Sequence, residues 1–242
     1  MNRIERKFAQ VKASGRKAYV AYLTMGAPTL ARSFEAFDTL VGEGVDIVEL
    51  GVPFSDPAAD GALIRKAATK ALENGVTLAD VLGALPAFRA KHPDVPVVVF
   101  SYYNVVYSYG VDRFAADASA AGADGVLIVD LPFEERDEIL PALKRNGLVL
   151  VPLIAPTTDA ARVRAIAEGM EGSFLYVVTV KGVTGKRASL PVELASRLQE
   201  IKTLTSLPVV AGFGIRNVEE GSAVAADCDG FVIGSALVER FS

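Results

Sequence analysis

An α/β fold built on a parallel sheet is predicted by two features of this 242-residue sequence. Short runs rich in Val, Ile and Leu alternate with longer amphipathic segments along the whole chain. These runs lack a polar face, which is typical of strands that helices cover on both sides. Eight runs in a chain of this length indicate a (β/α)₈ barrel, the TIM barrel, as a single domain over residues 1–242.

The predicted elements alternate along the chain, with two helices between the second and third strands. The strands are 18–24, 46–51, 96–102, 125–130, 148–154, 174–180, 208–213 and 230–234. The helices between them are 29–41, 60–74, 77–91, 111–121, 133–146, 158–169, 191–205 and 217–226. A doubly wound open sheet is the alternative architecture. Its dinucleotide-binding form would carry GxGxxG after the first strand, where this chain reads TMGAPT.

Composition narrows the class of protein. The formal net charge is −4 without a basic tract, which disfavours binding to nucleic acid or to an anionic membrane. No apolar run approaches the roughly 20 residues of a membrane helix, and the polar amphipathic N-terminus does not resemble a signal peptide. Cys228 is the single cysteine, so an internal disulfide is excluded. We therefore expect a soluble cytoplasmic protein.

The stretch ELGVPFSDPAADG, residues 49–61, carries three carboxylates after a strand. Active sites of such barrels lie at the C-terminal ends of the strands. If Val48 and Leu50 face the helices, Glu49 points into the barrel mouth, where loss of hydration raises its pKa. A carboxyl group of that kind suits general acid–base chemistry near neutrality. A structural ion pair at the strand end is the alternative.

The other two carboxylates of the stretch have simple alternative roles. Asp60 precedes a predicted helix and could be its N-cap. Asp56, in Ser-Asp-Pro, could hold a turn. A magnesium site is a weaker reading, because the three acids follow no ligand-spacing motif.

Glycine-rich segments follow the last three predicted strands. They are GVTG (182–185), GFGI (212–215) and GSA (234–236). Glycine lets main chain approach an anion, and helix N-termini supply amide donors. Because phosphate sites of barrels frequently use the loops after strands seven and eight, the segments predict a phosphorylated substrate.

The sequence offers few residues that could support other kinds of catalysis. His92 and Cys228 precede strands three and eight, so both are expected at the end of the barrel opposite the site. No histidine-based triad or zinc site is available, and we expect no metal site. Lys181 is the only lysine near the mouth that a Schiff-base mechanism could use, although a solvated loop lysine is the simpler interpretation.

With these motifs together, the chain resembles the α-subunit family of tryptophan synthase. ELGVPFSDPAADG is similar to the family signature around its catalytic glutamate, and YYN (102–104), GADGVLIVDLP (122–132), GVTG, GFGI and GSALV also match. The resemblance implies retro-aldol cleavage of indole-3-glycerol phosphate to indole and glyceraldehyde 3-phosphate. Glu49 then matches the general acid–base, and Asp60 matches the carboxylate that holds the indole N–H.

The resemblance also implies the remaining site residues. The substrate-binding residues are Tyr22, Phe100, Tyr102, Leu127, Tyr176 and Thr184, and the phosphate-binding residues are Gly185, Gly214, Gly234 and Ser235. It implies no cofactor in this chain. The partner would be a β subunit that carries pyridoxal phosphate, in an αββα complex, with Asp56 on the surface that the partner uses.

Departures from the family pattern keep two further readings open. They include Ala27, Ala62, Arg65, Val105, Phe100 and Lys181, most of them expected near the partner-facing side and in the loop after the sixth predicted strand. The alternatives are a stand-alone indole-3-glycerol phosphate lyase and a weakly catalytic subunit that mainly activates a β partner. A shortened C-terminal helix is also expected, because the chain ends at GSALVERFS.

Overall fold

The computed structural model describes residues 1–178, 192–212 and 214–242, and within them the strands form one parallel sheet. Its order is β5-β4-β3-β2-β1-β9-β8-β7-β6. The strands are β1 (Ala18–Thr24), β2 (Ile47–Gly51), β3 (Val97–Ser101), β4 (Gly125–Ile128), β5 (Val149–Leu150), β6 (Leu153–Ile154), β7 (Leu175–Val178), β8 (Val209–Gly212) and β9 (Gly230–Ile233).

The sheet closes through the predicted strand 148–154, which is observed as the two short pieces β5 and β6. Pro152, which has no N–H to donate, lies between them. The main chain still pairs on both sides, since Val151 N donates to Val126 O at 2.8 Å and Tyr176 N donates to Pro152 O at 2.9 Å. The predicted eight-stranded barrel is therefore confirmed, with one strand interrupted.

Helices surround the sheet. They are α1 (Arg3–Ala13), α2 (Leu30–Gly42), α3 (Ala62–Glu73), α4 (Leu78–Lys91), α5 (Tyr103–Tyr109), α6 (Val111–Ala121), α7 (Leu140–Arg145), α8 (Ala160–Ala167), α9 (Val192–Leu204), α10 (Val218–Val224) and α11 (Ser235–Phe241). Three-residue-per-turn helices cover Phe133–Glu138 and Ala225–Asp227.

Two predictions of secondary structure were wrong. The segment 133–146 is not one helix, because Pro141 can begin an α-helix but cannot continue one from the preceding turn. The strand predicted over 96–102 ends at Ser101, and α5 starts two residues later. Helix α1 was not predicted either, although Asn2 and Glu5 form a capping box at its start.

Helix α1 closes the N-terminal end of the barrel. Ile4 is fully buried, and the Phe8 ring packs on Phe174, just before β7, with centroids 5.6 Å apart. His92 and Cys228 also lie at this end, directly ahead of β3 and β9. His92 bonds Asp38 at 2.8 Å. The predicted separation of both residues from the C-terminal mouth is therefore confirmed.

A buried ion cluster joins α1 to the base of the barrel. Asp124, whose side chain is 5 % exposed, accepts hydrogen bonds from Arg3 at 2.9 Å and from Arg89 at 2.8 Å. It also accepts one from Val97 N at 2.9 Å, at the start of β3. One carboxylate thus holds a terminal helix, helix α4 and a strand together.

We predict that Asp124→Asn lowers the free energy of unfolding by about 2–4 kcal/mol, because it leaves two guanidinium groups without their buried counter-charge. Urea unfolding followed by circular dichroism measures the change. Asp112→Asn is the matched control, since the Asp112–Arg145 pair is exposed and should change stability by less than about 1 kcal/mol. Equal effects of the two substitutions would contradict the prediction.

Candidate active site

Glu49 occupies the inner face of β2, inside the barrel. Its register partners are Tyr22 on β1 and Val98 on β3, and the glutamate is 0 % exposed. Neither carboxyl oxygen has a hydrogen-bond partner among the described residues. Burial raises the pKa of Glu49 from 4.5 to about 8. The alternative of a structural ion pair at this strand end receives no support, since no ion pair is formed with the described part of the chain.

Asp60 ends the loop that follows β2. The Tyr102 hydroxyl donates to Asp60 Oδ2 at 3.0 Å, and the same hydroxyl accepts from Ala59 N at 3.2 Å. Burial raises the pKa of Asp60, while the Tyr102 hydrogen bond and the charge of Arg65 oppose that rise. The N-cap alternative for Asp60 was wrong, because Gly61 occupies the N-cap of α3 without a side-chain cap.

Two tyrosine rings line the mouth in the same manner, each leaning across the next strand over a glycine. A Cβ atom on Gly51 would overlap the Tyr22 hydroxyl, and one on Gly212 would lie 2.6 Å from the Tyr176 hydroxyl. Both glycines end their strands, β2 and β8. The two rings therefore occupy the space that a side chain at Gly51 or Gly212 would need, and they lie directly against the main chain.

An apolar layer lies one step nearer the open end than Glu49. Thr24, Gly51, Phe100 and Leu127 are in register across β1 to β4 and therefore face the same way. Leu127 is fully buried, whereas Phe100 is partly accessible. The Phe100 and Tyr22 rings meet edge to face with centroids 5.1 Å apart. This layer offers a flat apolar ring a surface next to a buried acid.

The glycine segments after β8 and β9 lie on neighbouring loops, because those strands are paired. Gly214 has a φ of +64°, which favours glycine there. Gly234 is the N-cap of α11, and Ser235 is its first residue. Gly234 also approaches Tyr22, since a Cβ atom on it would lie 3.6 Å from Tyr22 Cβ. The two loops are thus neighbours, and the loop after β9 lies against Tyr22.

Three of the residues singled out from the sequence lie outside the described residues: Thr184, Gly185 and Lys181. The other residues that the resemblance assigns to the site lie around Glu49, near Asp60 or on the adjacent β8 and β9 loops. Sequence reasoning missed Thr24, Gly51 and Phe54, whose ring packs against Tyr102 in a tilted arrangement with centroids 4.9 Å apart. Strand alternation from Glu49 and Tyr22 would have found Gly51 and Thr24, whereas no sequence signal pointed to Phe54.

Metal clusters and membrane-spanning helices are both absent from the described ranges. No group of three or more His, Cys, Asp and Glu side chains there could hold a metal ion. No helix in that part of the chain is long and apolar enough to cross a bilayer.

The chain is similar to known proteins both in sequence and in fold. A sequence model of the tryptophan synthase alpha chain family matches residues 8–242. The tryptophan synthase alpha chain of Geobacter sulfurreducens is 45% identical over 241 residues, covering 100% of this chain and 90% of that protein. That of Carboxydothermus hydrogenoformans is 46% identical over 239 residues, covering 99% and 89%.

Solved structures agree with the sequence comparison. The crystal structure of the alpha chain from Legionella pneumophila has a TM-score of 0.90 and 35% identity, covering 99% of this chain and 87% of that one. A structure titled tryptophan synthase from M. tuberculosis, in an aminoacrylate-bound form, has a TM-score of 0.88 and 33% identity over 99% and 91% of the two chains. With a family match over nearly its whole length and a shared fold, this chain belongs to the tryptophan synthase alpha chain family.

Proposed function

We propose that Glu49 and Asp60 carry out the reaction of this family, retro-aldol cleavage of indole-3-glycerol phosphate to indole and glyceraldehyde 3-phosphate. The observation that carries the assignment is Glu49 itself, a fully buried carboxyl group without a hydrogen-bond partner in the described part of the chain. A carboxyl group whose pKa is raised by burial, and which faces an apolar pocket, is suited to donate a proton at neutral pH.

Glu49 moves one proton in each direction. With a pKa of about 8 it is mostly protonated at pH 7 and can deliver that proton to C3 of the indole ring. The resulting carboxylate then accepts the proton of the hydroxyl on the carbon attached to C3. As the bond between that carbon and C3 breaks, its electron pair returns to the ring. Indole and the aldehyde leave, and Glu49 ends protonated as it began.

Asp60 stabilises the charge that the first proton transfer creates. Protonation at C3 places positive charge on the ring nitrogen, and an ionised carboxylate accepting the N–H opposes that charge. The Tyr102 hydrogen bond and the Arg65 charge both favour the ionised form of Asp60. Tyr102 also fixes the loop, because its hydroxyl binds Ala59 N as well as the carboxylate.

The remaining pocket residues orient the substrate between two ends. Phe100 and Leu127 of the apolar layer, together with the adjacent Tyr22 ring, are proposed to bind the indole ring, with Tyr102 and Tyr176 beside it. Gly214, Gly234 and Ser235, on the loops after β8 and β9, are proposed to bind the phosphate through main-chain amides and one hydroxyl. Gly185 and Thr184 remain proposals for the phosphate and substrate sites.

The partner proposed for this chain is a tryptophan synthase β subunit in an αββα complex. Pyridoxal phosphate belongs to that partner, since the acid–base steps above need only this chain's carboxyl groups. The stand-alone lyase and the weakly catalytic activating subunit remain the alternatives. Indole release by the purified chain, measured with and without an added β subunit, separates the three. Retention of both Glu49 and Asp60 favours a catalytic subunit over a mere activator.

Two further properties are proposals of the same kind. We infer one domain over residues 1–242, because every described strand joins one sheet. We also infer a cytoplasmic location, which the single buried thiol Cys228 supports, since no internal disulfide is needed.

Glu49→Gln is expected to reduce cleavage of indole-3-glycerol phosphate by about 10²–10⁴, because the amide can neither give nor take the proton. Indole release in a coupled assay measures the rate, and circular dichroism checks the fold. Glu43→Gln is the control, since Glu43 pairs with Arg240 on the outer surface and should leave turnover unchanged. Near-normal turnover by the folded Glu49→Gln variant would overturn the assignment.

The parent chain should lose stability as Glu49 ionises, and the Glu49→Gln variant, which has no proton to lose there, should not. The pKa of Glu49 is about 8 folded and 4.5 unfolded, so the folded state binds the proton more tightly. The contribution of Glu49 to stability is therefore complete below pH 4.5 and declines as pH rises towards 8, with a slope that approaches about 1.4 kcal/mol per pH unit between the two values.

Glu49→Gln should consequently gain unfolding free energy relative to the parent chain as pH rises from about 5 to 8, with a plateau above. Urea unfolding at several pH values measures the difference. A difference that is flat across this range would show that Glu49 is not buried as an isolated acid.

Asp60→Asn is expected to lower kcat/KM by about 10- to 100-fold, the loss of a charge-assisted hydrogen bond to the ring N–H. Steady-state indole release by the chain alone measures it. Asp56→Asn, an exposed change in the same loop, is the matched control and should stay within about twofold in this assay. Parent-like kinetics of Asp60→Asn would remove its proposed role.

A further inference from the structure

The Tyr22 ring spans the mouth from the proposed phosphate end to the apolar layer. Its Cβ atom would lie 3.6 Å from a Cβ atom on Gly234, after β9. Its hydroxyl end lies over Gly51, at the C-terminal end of β2. Between these points the ring starts level with Glu49, its register partner, and meets Phe100 edge to face. Tyr22 therefore forms one continuous wall beside the acid.

The Tyr22 hydroxyl contributes little to the stability of the fold. Tyr22 is 6 % exposed, and within the described residues its hydroxyl has a single hydrogen bond, with Thr24 Oγ1 at 3.4 Å, at the long limit for O–H···O. A buried hydroxyl with such a weak partner recovers little of its lost hydration. Phenylalanine would fill the ring position without that cost. The oxygen is better explained by what it excludes from the pocket.

The hydroxyl cannot move away from a ligand without wider rearrangement. The Gly51 main chain lies directly behind it, so close that even one added methyl group at that glycine would overlap the phenol. The Phe100 ring meets Tyr22 with centroids 5.1 Å apart, and Thr24 lies beside the oxygen. A side chain backed by main chain acts as a fixed stop, since close-packed interiors yield little.

We propose that the Tyr22 hydroxyl sets the upper size of the aromatic ring that the site accepts, excluding an indole that carries a methyl group at the carbon facing the hydroxyl. The inference rests on the proposed function and assigns a specificity-determining residue for that reaction. Removing the oxygen opens a space of about one methyl group, bordered by Gly51 main chain and Thr24. A substituted ring can then enter where the parent site is closed.

The test is a comparison of Tyr22→Phe with the parent chain on indole-3-glycerol phosphate and its 4-, 5-, 6- and 7-methyl derivatives. For one or two isomers, the ratio of kcat/KM for the methylated to the unsubstituted substrate should rise about tenfold, the lower end of what one methyl group contributes in an apolar pocket. Tyr22→Leu should raise the same ratio and serves if Tyr22→Phe folds poorly.

Tyr19→Phe is the matched control. It removes a phenol oxygen from the same strand, but its ring stacks on Phe231 on the outer face, with centroids 5.3 Å apart. All its ratios should equal those of the parent chain. Ratios within twofold of the parent for every isomer in both Tyr22 variants, or an equal gain for all four isomers, would overturn the inference while leaving the reaction intact.

Failure of the proposed function has a different signature. In that case the parent chain, alone and with a β subunit, would release no indole from the unsubstituted substrate, and the inference about Tyr22 would fall with it.

Discussion

The site depends on one constraint, a carboxylic acid held inside the barrel without a partner. Glu49 lies on the inner face of a central strand, and both of its oxygens lack a hydrogen bond within the described residues. Burying a carboxylate without a partner lowers stability, and many proteins avoid this by forming an ion pair. Here no such pair is formed with the described residues, so burial disfavours the ionised form and Glu49 keeps its proton. An arginine or lysine beside Glu49 would lower its pKa and leave a carboxylate that could no longer act as an acid.

The tyrosine rings around Glu49 explain how water is kept from the acid without a positively charged side chain beside it. Tyr22 and Tyr176 both lean over glycines, so their rings lie against main chain and fill the volume nearest Glu49. Tyrosine rings bring apolar surface, and their hydroxyls are uncharged at neutral pH, where even an exposed phenol keeps its proton. Burial raises the pKa of both phenols further. Rigid support comes from the opposite end, where Asp124 joins α1, α4 and the sheet.

The barrel was predictable because its signal is repeated eight times, and each buried strand reads as an apolar run. The position of Glu49 followed from alternation along β2, which is local. Tyr102 was different. Its hydrogen bond to Asp60 joins residues 42 positions apart, on different elements, and the strand predicted over 96–102 ended before it. Gly51 was missed as a site residue for a similar reason, since its importance lies in the ring that covers it. Local patterns predict where strands lie and which way their side chains point. Contacts between distant residues also depend on the residue at which each strand ends, which the local pattern does not give.

The two carboxyl groups of one short stretch acquire opposite roles through their surroundings. Glu49 has burial as the sole cause of its raised pKa. Asp60 is also partly buried, but the Tyr102 hydroxyl and the Arg65 charge act against the effect of burial. In the proposed reaction, the protonated Glu49 lies beside the ring carbon that accepts a proton, and Asp60, whose ionised form Tyr102 and Arg65 favour, lies beside the ring nitrogen that becomes positive. If the two environments were exchanged, the acid would face the nitrogen and the anion would face the carbon, and neither step would be favoured. The separation of eleven residues matters for this reason: it takes the chain from the dry interior of a strand to a loop where the Tyr102 hydroxyl binds the second carboxylate and the charge of Arg65 acts on it.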